Sequence, residues 1–287
     1  NFPAVENSTV LFLHVFKCAG TSLREILINW AAKEGYSGAV VHECRIGRST
    51  VSVDTICLNE NNDLYDVGTQ RYQVTSNKVL AGHFFWDFRK YVEGPYLMIT
   101  TLRNPLELFV SAEQFKHRDE TGSLKEAVAF VSGVMEQRLR WDEALDVGFI
   151  RRFVDRDIAM PHRMGPSRSR HQYTKMAVNA AEHVKQFWVV GVVEQYAGFL
   201  EVLRRSLDPH DRRPEVWAKA HRVKNNGSPV HSADVLRSID PELVVQFNAT
   251  SLGLQWEVYD IALHLWDRRC REVLPLDKHH DLCTVWR

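Results

Sequence analysis

A lysine, three small residues and two hydroxyl side chains stand together near the start of the chain, in the segment Lys17-Cys18-Ala19-Gly20-Thr21-Ser22. The segment follows a predicted strand, Val10–Phe16, and precedes a predicted helix, Thr21–Ala32. Small residues let the backbone approach a ligand closely, and the N–H groups at a helix N-terminus favour an anion. Lys17 adds a full positive charge, so the segment predicts a phosphate-binding turn. The alternative is an ordinary strand-to-helix turn with Thr21 or Ser22 as its cap.

A second candidate anion site lies at the end of another predicted strand, Tyr96–Leu102. The segment Thr101-Leu102-Arg103-Asn104-Pro105 is followed by a predicted helix, Leu106–Lys116, that contains Ser111. Arg103 would point toward the crevice in which open α/β sheets bind ligands. Its planar guanidinium can hold a phosphate with two hydrogen bonds, and Ser111 lies two helical turns further on. A surface arginine beside a turn proline is the alternative.

The elements around these two segments predict an α/β fold. Further strands are predicted at Ala39–His42, Lys78–Ala81 and Phe187–Val192, and further helices at Ser123–Glu143, Lys175–Lys185, Gln195–Arg205 and Leu254–Arg271. Near-continuous apolar runs are typical of parallel strands covered by helices. We therefore expect residues 1–287 to form a single domain, with a central, mainly parallel sheet flanked by helices. The Arg-rich stretch Asp155–His171 is predicted to be a long irregular connection.

Composition excludes several kinds of protein. The 287 residues contain 36 Lys and Arg and 36 Asp and Glu, so the formal net charge is zero and no nucleic-acid partner is expected. No apolar run reaches the roughly 18–20 residues that span a bilayer. Because the first residue is Asn, we expect a removed leader or membrane anchor to have preceded it. The phosphate-binding turn is not that of a kinase or NTPase, since no Gly-Lys-Ser/Thr follows Gly20.

The five cysteines show no metal-site spacing, so no metal is expected. Local disulfides would join Cys44 to Cys57 and Cys270 to Cys283, and free thiols in a cytosolic protein are an equally open alternative. Three sequons, at Asn7, Asn226 and Asn248, favour the secretory pathway modestly.

The two phosphate-binding segments resemble those of one known superfamily. Lys17 to Leu23 is similar to the 5′-phosphosulfate-binding loop of the sulfotransferases that use 3′-phosphoadenosine 5′-phosphosulfate (PAPS). Arg103-Asn104-Pro105 with Ser111 resembles their 3′-phosphate-binding strand and helix. The chain is most similar to the Golgi branch with the heparan sulfate and dermatan/chondroitin uronyl 2-O-sulfotransferases. The resemblance runs from about Val10 to about Arg269 and includes Gly82–Phe88, Phe187–Glu194 and His221–Asn225.

This resemblance implies a role for each candidate residue. PAPS would be the donor and 3′,5′-ADP its product, without a metal. His83 would be the general base, and Lys17 would stabilise the leaving phosphate. The implied contacts to the 5′-phosphate come from Cys18, Ala19, Gly20, Thr21 and Ser22. Arg103 and Ser111 would hold the 3′-phosphate, and Lys224 would close over the nucleotide. A glycan on Asn226 would obstruct that loop, so we expect its sequon to be unused.

The chain departs from the family pattern at three places. Cys18-Ala19-Gly20 stands where many relatives have Thr-Gly-Gly, and Asn104 replaces the more usual Asp. The uronyl enzymes have a second histidine two places before the one that matches His83, and Ala81 stands there in this chain. The last departure bears on the acceptor and on proton transfer.

The acceptor is predicted to be a carbohydrate. Three Arg-rich segments are candidates for binding an anionic polysaccharide: Arg151-Arg152, Arg163–Arg170 and Arg212-Arg213. Solvated surface charge balanced by neighbouring acidic residues is an alternative that explains them at least as well. Trp86 and Tyr173 are candidates for stacking on a sugar or a phenol, although core packing explains them equally well. Two alternatives remain: a sulfotransferase for protein tyrosine, a lipid or a small natural product, and a non-catalytic glycan- or nucleotide-binding module. The resemblance implies the Golgi lumen as the location, with membrane attachment only through a preceding anchor.

Overall fold

A seven-stranded sheet forms the centre of the protein. The computed structural model describes residues 4–43, 55–58, 64–66, 79–141, 148–155, 158, 170–220 and 230–284. The strands are β1 (Thr9–Leu13), β2 (Gly38–Glu43), β3 (Thr55–Leu58), β4 (Leu64–Asp66), β5 (Val79–Gly82), β6 (Tyr96–Leu102) and β7 (Val189–Val192). Their order is β4-β3-β2-β5-β1-β6-β7. Neighbouring strands are parallel, except that β4 pairs antiparallel with β3.

Strand β1 occupies the position that matters most for a ligand site. It pairs with β5 on one side and β6 on the other, and its residues Val10 to Leu13 are fully buried. The chain leaves β1 toward β2 on one side and later returns to β6 on the other. Ligands of open α/β sheets bind beside such a reversal, at the carboxyl ends of the strands. The segments that follow β1, β5 and β6 therefore meet at one edge of the sheet.

Helices cover the sheet and extend the core. In the described residues they are α1 (Gly20–Lys33), α2 (Pro105–Lys116), α3 (Leu124–Trp141), α4 (Arg170–Val184), α5 (Tyr196–Leu207), α6 (Pro214–Ala220), α7 (Ser232–Ser238), α8 (Pro241–Ser251), α9 (Gly253–Val273) and α10 (Leu276–Cys283). Helix α1 packs against β2 and β5, and α9 packs against β7 and α4. A smaller apolar cluster joins α2 and α3 to α7 and α8. No helix in the described part is long and apolar enough to cross a membrane.

The predicted fold class is confirmed, and most predicted elements lie within a few residues of their expected bounds. The first strand ends at Leu13 rather than Phe16, and helix α4 begins at Arg170, inside the connection predicted for Asp155–His171. The rest of that connection lies mostly outside the described residues. Helix α8 was not predicted, although the Asp240 side chain caps it and Pro241 occupies its first turn, a common helix-start signal.

A disulfide joins Cys270, near the end of α9, to Cys283, at the end of α10. This pairing was one of the two predicted from the sequence. Cys44 lies outside the described residues, so its predicted pairing with Cys57 stays a prediction. The indole N–H of Trp266 donates to the Cys283 carbonyl at 3.2 Å, so the bridge also holds a buried aromatic in place.

Removal of the disulfide is expected to destabilise the protein without touching the site. The bridge joins residues 13 positions apart, and a loop of that length is worth about 3 kcal/mol by the chain-entropy account. Reduction with dithiothreitol should lower the free energy of unfolding by about that amount. The Cys270→Ala/Cys283→Ala variant should show about the same loss without reductant, and dithiothreitol should then act on it only through the predicted Cys44–Cys57 pair. Equal unfolding curves with and without reductant would contradict the assignment.

Candidate functional site

The segment after β1 forms a turn shaped for an anion. Lys17 and Ala19 both have positive φ, 61° and 56°, and α1 begins at Gly20 with no side chain capping it. Backbone N–H groups of a first helical turn have no acceptor within the helix, and successive N–H groups in a turn that includes left-handed residues can form an anion-binding concavity. Thr21 is exposed and Ser22 half-buried, so both hydroxyls lie at the surface of this turn.

Cys18 holds the turn against the sheet. Its backbone N–H donates to the Val15 carbonyl at 3.3 Å, and its carbonyl accepts from Thr101 Oγ1, on β6, at 2.6 Å. The thiol is fully buried, and burial raises its pKa well above the ordinary value. The backbone of Cys18 therefore fixes the turn against β6, with its thiol buried beneath.

Arg103 brings a second positive charge to the same place. It follows the last residue of β6 and is half-buried. The pKa of Lys17 is lowered, first because the side chain is partly buried and second because the charge of Arg103 lies close. Two cations thus approach from two neighbouring strands, and an anion between them would offset their repulsion. The Lys17 ammonium also lies 4.5 Å from the ring centroid of Phe115.

Glu107 fixes the orientation of Arg103. Its Oε2 accepts from Nη2 of Arg103 at 2.9 Å and from Nε at 3.3 Å, in an ion pair four residues apart. Ser111, which is buried, follows Glu107 by another four residues on α2. Residues four apart lie on one face of a helix. Arg103, Glu107 and Ser111 therefore line the same side of the site.

His83 follows β5 at the same sheet edge and is half-buried. Its Nδ1 lies 2.8 Å from the carbonyl oxygen of His14. A carbonyl only accepts hydrogen bonds, so Nδ1 carries the proton and donates it. The neutral ring then has its lone pair on Nε2. This is the tautomer that a general base needs.

A half-buried carboxylate ties the Arg103 turn to the rest of the fold. Glu194, just after β7, accepts from the Asn104 backbone N–H at 2.6 Å and from the Tyr259 hydroxyl at 2.9 Å. Asn104 caps α2 through its side chain, which accepts from the backbone N–H groups of Leu106 and Glu107. An Asp would make the same cap, so the departure at Asn104 leaves the local structure unchanged.

A cavity of about 390 Å³ opens beside these residues. Its lining is largely aromatic and aliphatic with a cationic rim and includes Val15, Phe16, Phe85, Leu108, Phe109, Lys116, Phe149, Arg151 and Arg152. Val15 and Phe16 stand between His14 and Lys17 in the chain, and Phe85 is two residues after His83. The Arg152 guanidinium lies 4.6 Å from the ring centroid of Phe85. The cavity therefore adjoins both the turn and the histidine.

Comparison with known families decides what this arrangement belongs to. A sequence model of the sulfotransferase family matches residues 2–222. The chain belongs to the sulfotransferase family. The matched range contains every predicted site residue except Lys224, which also lies outside the described residues. A search of curated proteins gave no match.

The candidate site of this sulfotransferase brings together the residues predicted on three separate strand ends. Lys17, the turn through Ser22, His83 and Arg103 all lie at the carboxyl edge of the sheet, with Ser111 on the helix that follows. Among the described residues, no cluster of three or more His, Cys, Asp or Glu side chains suits a metal ion. Lys224 lies outside the described residues, so its predicted contact with the nucleotide stays a prediction.

Some predicted acceptor contacts of the sulfotransferase need correction. Trp86 is 1% exposed and stacks on His183 at 4.4 Å, so its face is not available to a sugar. Arg212 and Arg213 both form ion pairs with Glu34, at 2.9 and 2.7 Å, which accounts for their charge. The segment 163–169 lies outside the described residues.

Sequence reasoning missed two exposed aromatics that are better placed than Trp86. Phe16 and Phe115 are 42% and 47% exposed, and their rings meet edge to face at 5.3 Å beside Lys17. The sequence places Phe16 at the end of the predicted first strand, where a near-continuous apolar run predicts burial. The signal in the sequence is that Phe16 stands directly before the small-residue turn, so that the strand can end before it.

Glu194 offers a test of how the sulfotransferase holds its arginine turn. Glu194→Ala would leave the Asn104 N–H and the Tyr259 hydroxyl without their acceptor, and should cost about 2–4 kcal/mol of unfolding free energy. Glu194→Gln can accept from the N–H and donate to the hydroxyl, and should keep most of that stability. Chemical denaturation measures both. Equal stability of the alanine variant and the wild type would contradict the contact.

The difference in stability between the wild type and Glu194→Gln should depend on pH. Burial raises the pKa of Glu194, against the hydrogen bonds that lower it, and Glu107 raises it further. A raised pKa gives stability that is present below the unfolded value and is lost as pH rises through the folded value. The stability of Glu194→Gln relative to wild type should therefore increase as pH rises from 4 to 7. A constant difference would contradict the raised pKa.

Proposed function

We propose that this sulfotransferase transfers a sulfuryl group from PAPS to a hydroxyl of a carbohydrate, with His83 as the general base. The observation that carries the proposal is the meeting of Lys17, Arg103 and His83 at the ends of three adjacent parallel strands. Two cations and a helix N-terminus suit a nucleotide that carries phosphate at both its 3′ and its 5′ position. A neutral histidine beside them suits removal of a proton from a hydroxyl.

The donor would be held by residues of two strand ends. Gly20, Thr21, Ser22 and Lys17 are placed for the 5′ end, and Arg103 with Ser111 for the 3′-phosphate. The pKa of Lys17 is lowered first by burial and second by the charge of Arg103, and both leave a cation that a bound anion would compensate, which supports this fit. When bound, PAPS supplies the sulfuryl group that passes to the acceptor oxygen while 3′,5′-ADP leaves.

The protein's own residues would handle proton and charge. His83 takes the hydroxyl proton on Nε2, while its Nδ1–H bond to the His14 carbonyl keeps the ring in place. Lys17 and the N-terminus of α1 offset negative charge that grows on the leaving phosphate. Because the ion pair with Glu107 engages Nε and Nη2, Nη1 of Arg103 would be the group that binds the 3′-phosphate.

The cavity supports a carbohydrate acceptor. Phe16 offers an exposed ring face on which a sugar can pack, and Arg151 and Arg152 supply positive charge at the rim. Arg151 is exposed and available to an anionic group. An acidic polysaccharide has sugar rings for the aromatic face and acidic groups for the arginines, which makes it the preferred acceptor class.

The apolar floor of the same cavity favours one alternative. Phe85, Leu108 and Phe149 would also accommodate a tyrosine side chain, a lipid or another apolar natural product. This alternative keeps every donor residue and changes only the acceptor. A non-catalytic glycan- or nucleotide-binding module would have no chemical need for both Lys17 and His83.

A Golgi location is part of the proposal. The Cys270–Cys283 disulfide supports an oxidising compartment. Asn7, in the first sequon, is exposed, whereas the side chain of Asn248 accepts from the Trp256 indole N–H. We therefore expect glycosylation at Asn7 and not at Asn248, and the predicted anchor would precede residue 1.

Labelled PAPS with a panel of acceptors tests the proposed function. The panel contains desulfated heparin, dermatan, chondroitin, a tyrosine peptide and 2-naphthol. Transfer of label to one polysaccharide, with loss in His83→Ala, is the expected result. Transfer only to the peptide or the naphthol would replace the carbohydrate by the alternative acceptor. No transfer to any of them, from a protein that binds 3′,5′-ADP, would favour the binding module.

A further inference from the structure

His14 is a second histidine at the site, and no step described above uses its side chain. It follows the last residue of β1, as His83 follows the last residue of β5. The two strands are parallel neighbours, with Leu13 opposite Gly82. The His14 N–H donates to the Gly82 carbonyl at 2.8 Å, which continues the ladder by one residue. The two histidines therefore lie side by side at the sheet edge.

The His14 ring lies between the candidate base and the phosphate-binding turn. One face stacks on the His83 ring, with centroids 4.0 Å apart and planes 24° apart. Its edge packs on Gly20, the first residue of α1. A β-carbon at Gly20 would fall 1.8 Å from Cδ2 and 2.3 Å from Nε2 of His14, and its three nearest heavy atoms all belong to this ring. Only glycine leaves room for the ring at this point.

Burial separates the roles of the two histidines. His14 is 5% exposed, whereas His83 is half-buried and open at the sheet edge. An acceptor hydroxyl can therefore reach His83 but not His14. Any contribution of the His14 ring to the reaction must act through the groups that it touches, of which His83 and Gly20 belong to the site.

We propose that His14 is a positioning residue that sets the orientation of His83 and its distance from the phosphate-binding turn. The proposal rests on the proposed function, with His83 as the base. The stacked ring fixes the rotation of the His83 imidazole, and the His14 carbonyl fixes its tautomer. Transfer needs the acceptor oxygen held between base and donor, and a misplacement of about 1 Å can cost about 10²-fold in rate.

This arrangement also bears on the departure at Ala81. The uronyl enzymes have a histidine there, whereas Ala81 in this chain lies opposite Phe12 on β1. The Phe12 ring stacks in turn on His14, with centroids 5.9 Å apart. The second imidazole beside His83 thus comes from the neighbouring strand.

A double-mutant cycle tests the contact without an acceptor. Gly20→Ala places a methyl group in the space of the His14 ring and should weaken 3′,5′-ADP binding about tenfold or more, measured by calorimetry. The φ of Gly20 is not in the left-handed region, so the backbone itself accepts alanine. Adding His14→Ala removes the ring and should restore the dissociation constant to within about threefold of wild type. Simply additive effects of the two substitutions would overturn the contact.

Turnover tests the role. His14→Ala should lower kcat about 10–100-fold with labelled PAPS and the best acceptor of the panel, while the dissociation constant for 3′,5′-ADP changes less than about threefold. The matched control is His183→Ala. His183 also stacks on an aromatic ring, that of Trp86, and its Nδ1 also bonds a carbonyl, that of Phe153, at 2.6 Å. The control should lose thermal stability and keep kcat.

The outcomes distinguish this proposal from the function on which it rests. Unchanged kcat in His14→Ala, or an equal loss in His183→Ala, overturns the positioning role and leaves the function intact. Full activity of His83→Ala overturns the assignment of the base. A wild-type protein that shows no preference for 3′,5′-ADP over 5′-ADP overturns the donor site, and the role of His14 with it.

Discussion

His83→Ala is expected to lower kcat for sulfuryl transfer by about 10²–10⁴-fold, the usual contribution of a positioned general base. The dissociation constant for 3′,5′-ADP should stay within about threefold of wild type, because the proposed role of His83 is toward the acceptor and not toward the phosphates. The physical reason is the tautomer: the His14 carbonyl holds the proton on Nδ1, so Nε2 is ready to accept another. Label transfer from PAPS measures kcat, and calorimetry measures nucleotide binding.

His83→Gln is the matched variant for this prediction. It keeps a polar side chain of similar reach but cannot act as a base near neutral pH, so it should be as inactive as the alanine variant. Activity of His83→Gln close to wild type would show that the side chain is needed only for packing or hydrogen bonding. The proposed base would then be wrong.

Lys17→Ala is expected to lower kcat by about 10²–10³-fold, the range seen when one donor that stabilises developing charge is removed. Lys17 lies in the turn and has a positive φ. Its side chain is partly buried and close to the charge of Arg103, so its own charge is poorly compensated in the free protein. Interactions that strengthen as charge grows on the leaving phosphate raise kcat more than they improve ground-state binding. The dissociation constant for 3′,5′-ADP should therefore rise less than kcat falls.

Lys125→Ala provides the control for charge alone. Lys125 is an exposed lysine of α3, away from the sheet edge. It changes the net charge by the same amount and should leave kcat and nucleotide binding unchanged. An equal fall in kcat for both lysine variants, or a fall in Lys17→Ala that is entirely a loss of binding, would contradict the role of Lys17 at the leaving group.

The main features of the donor site could be predicted because they are local in sequence. Two segments, Lys17 to Ser22 and Arg103-Asn104-Pro105, each predict a strand end followed by a helix. Parallel strands bring such ends to one edge of the sheet. Two motifs on two strands thus implied a common site before any tertiary contact was known. His83 followed from the resemblance, and the parallel pairing of β1 with β5 places it beside the turn.

The contacts that hold these residues could not be predicted because they join distant parts of the chain. Glu194 bonds the Asn104 N–H and the Tyr259 hydroxyl, 90 and 65 residues away. In the predicted helix Leu254–Arg271, the spacing of Tyr259 indicates only that it belongs to the apolar face. Packing alone decides such partners, and neither hydrophobic periodicity nor turn chemistry contains that information.

Burial of single aromatics was equally hidden in the sequence. Trp86 follows a strand end in the apolar run Phe84-Phe85-Trp86, which has neither the period of a strand nor that of a long helix. The structure places it in a short 3-10 helix, Trp86–Tyr91, with its ring in the core against His183. Phe16, by contrast, becomes exposed because β1 ends three residues before it.

The most direct test of the central claim, a PAPS donor site, is thermal stability with 3′,5′-ADP and with ordinary 5′-ADP, for the wild type and for Arg103→Ala. A ligand that binds only the folded state stabilises it by about 2.7 kcal/mol at a hundredfold excess over its dissociation constant. We predict a clear shift with 3′,5′-ADP, a much smaller one with 5′-ADP, and loss of the difference in Arg103→Ala. Equal shifts with the two nucleotides, or none with either, in a folded wild-type protein would contradict the donor site.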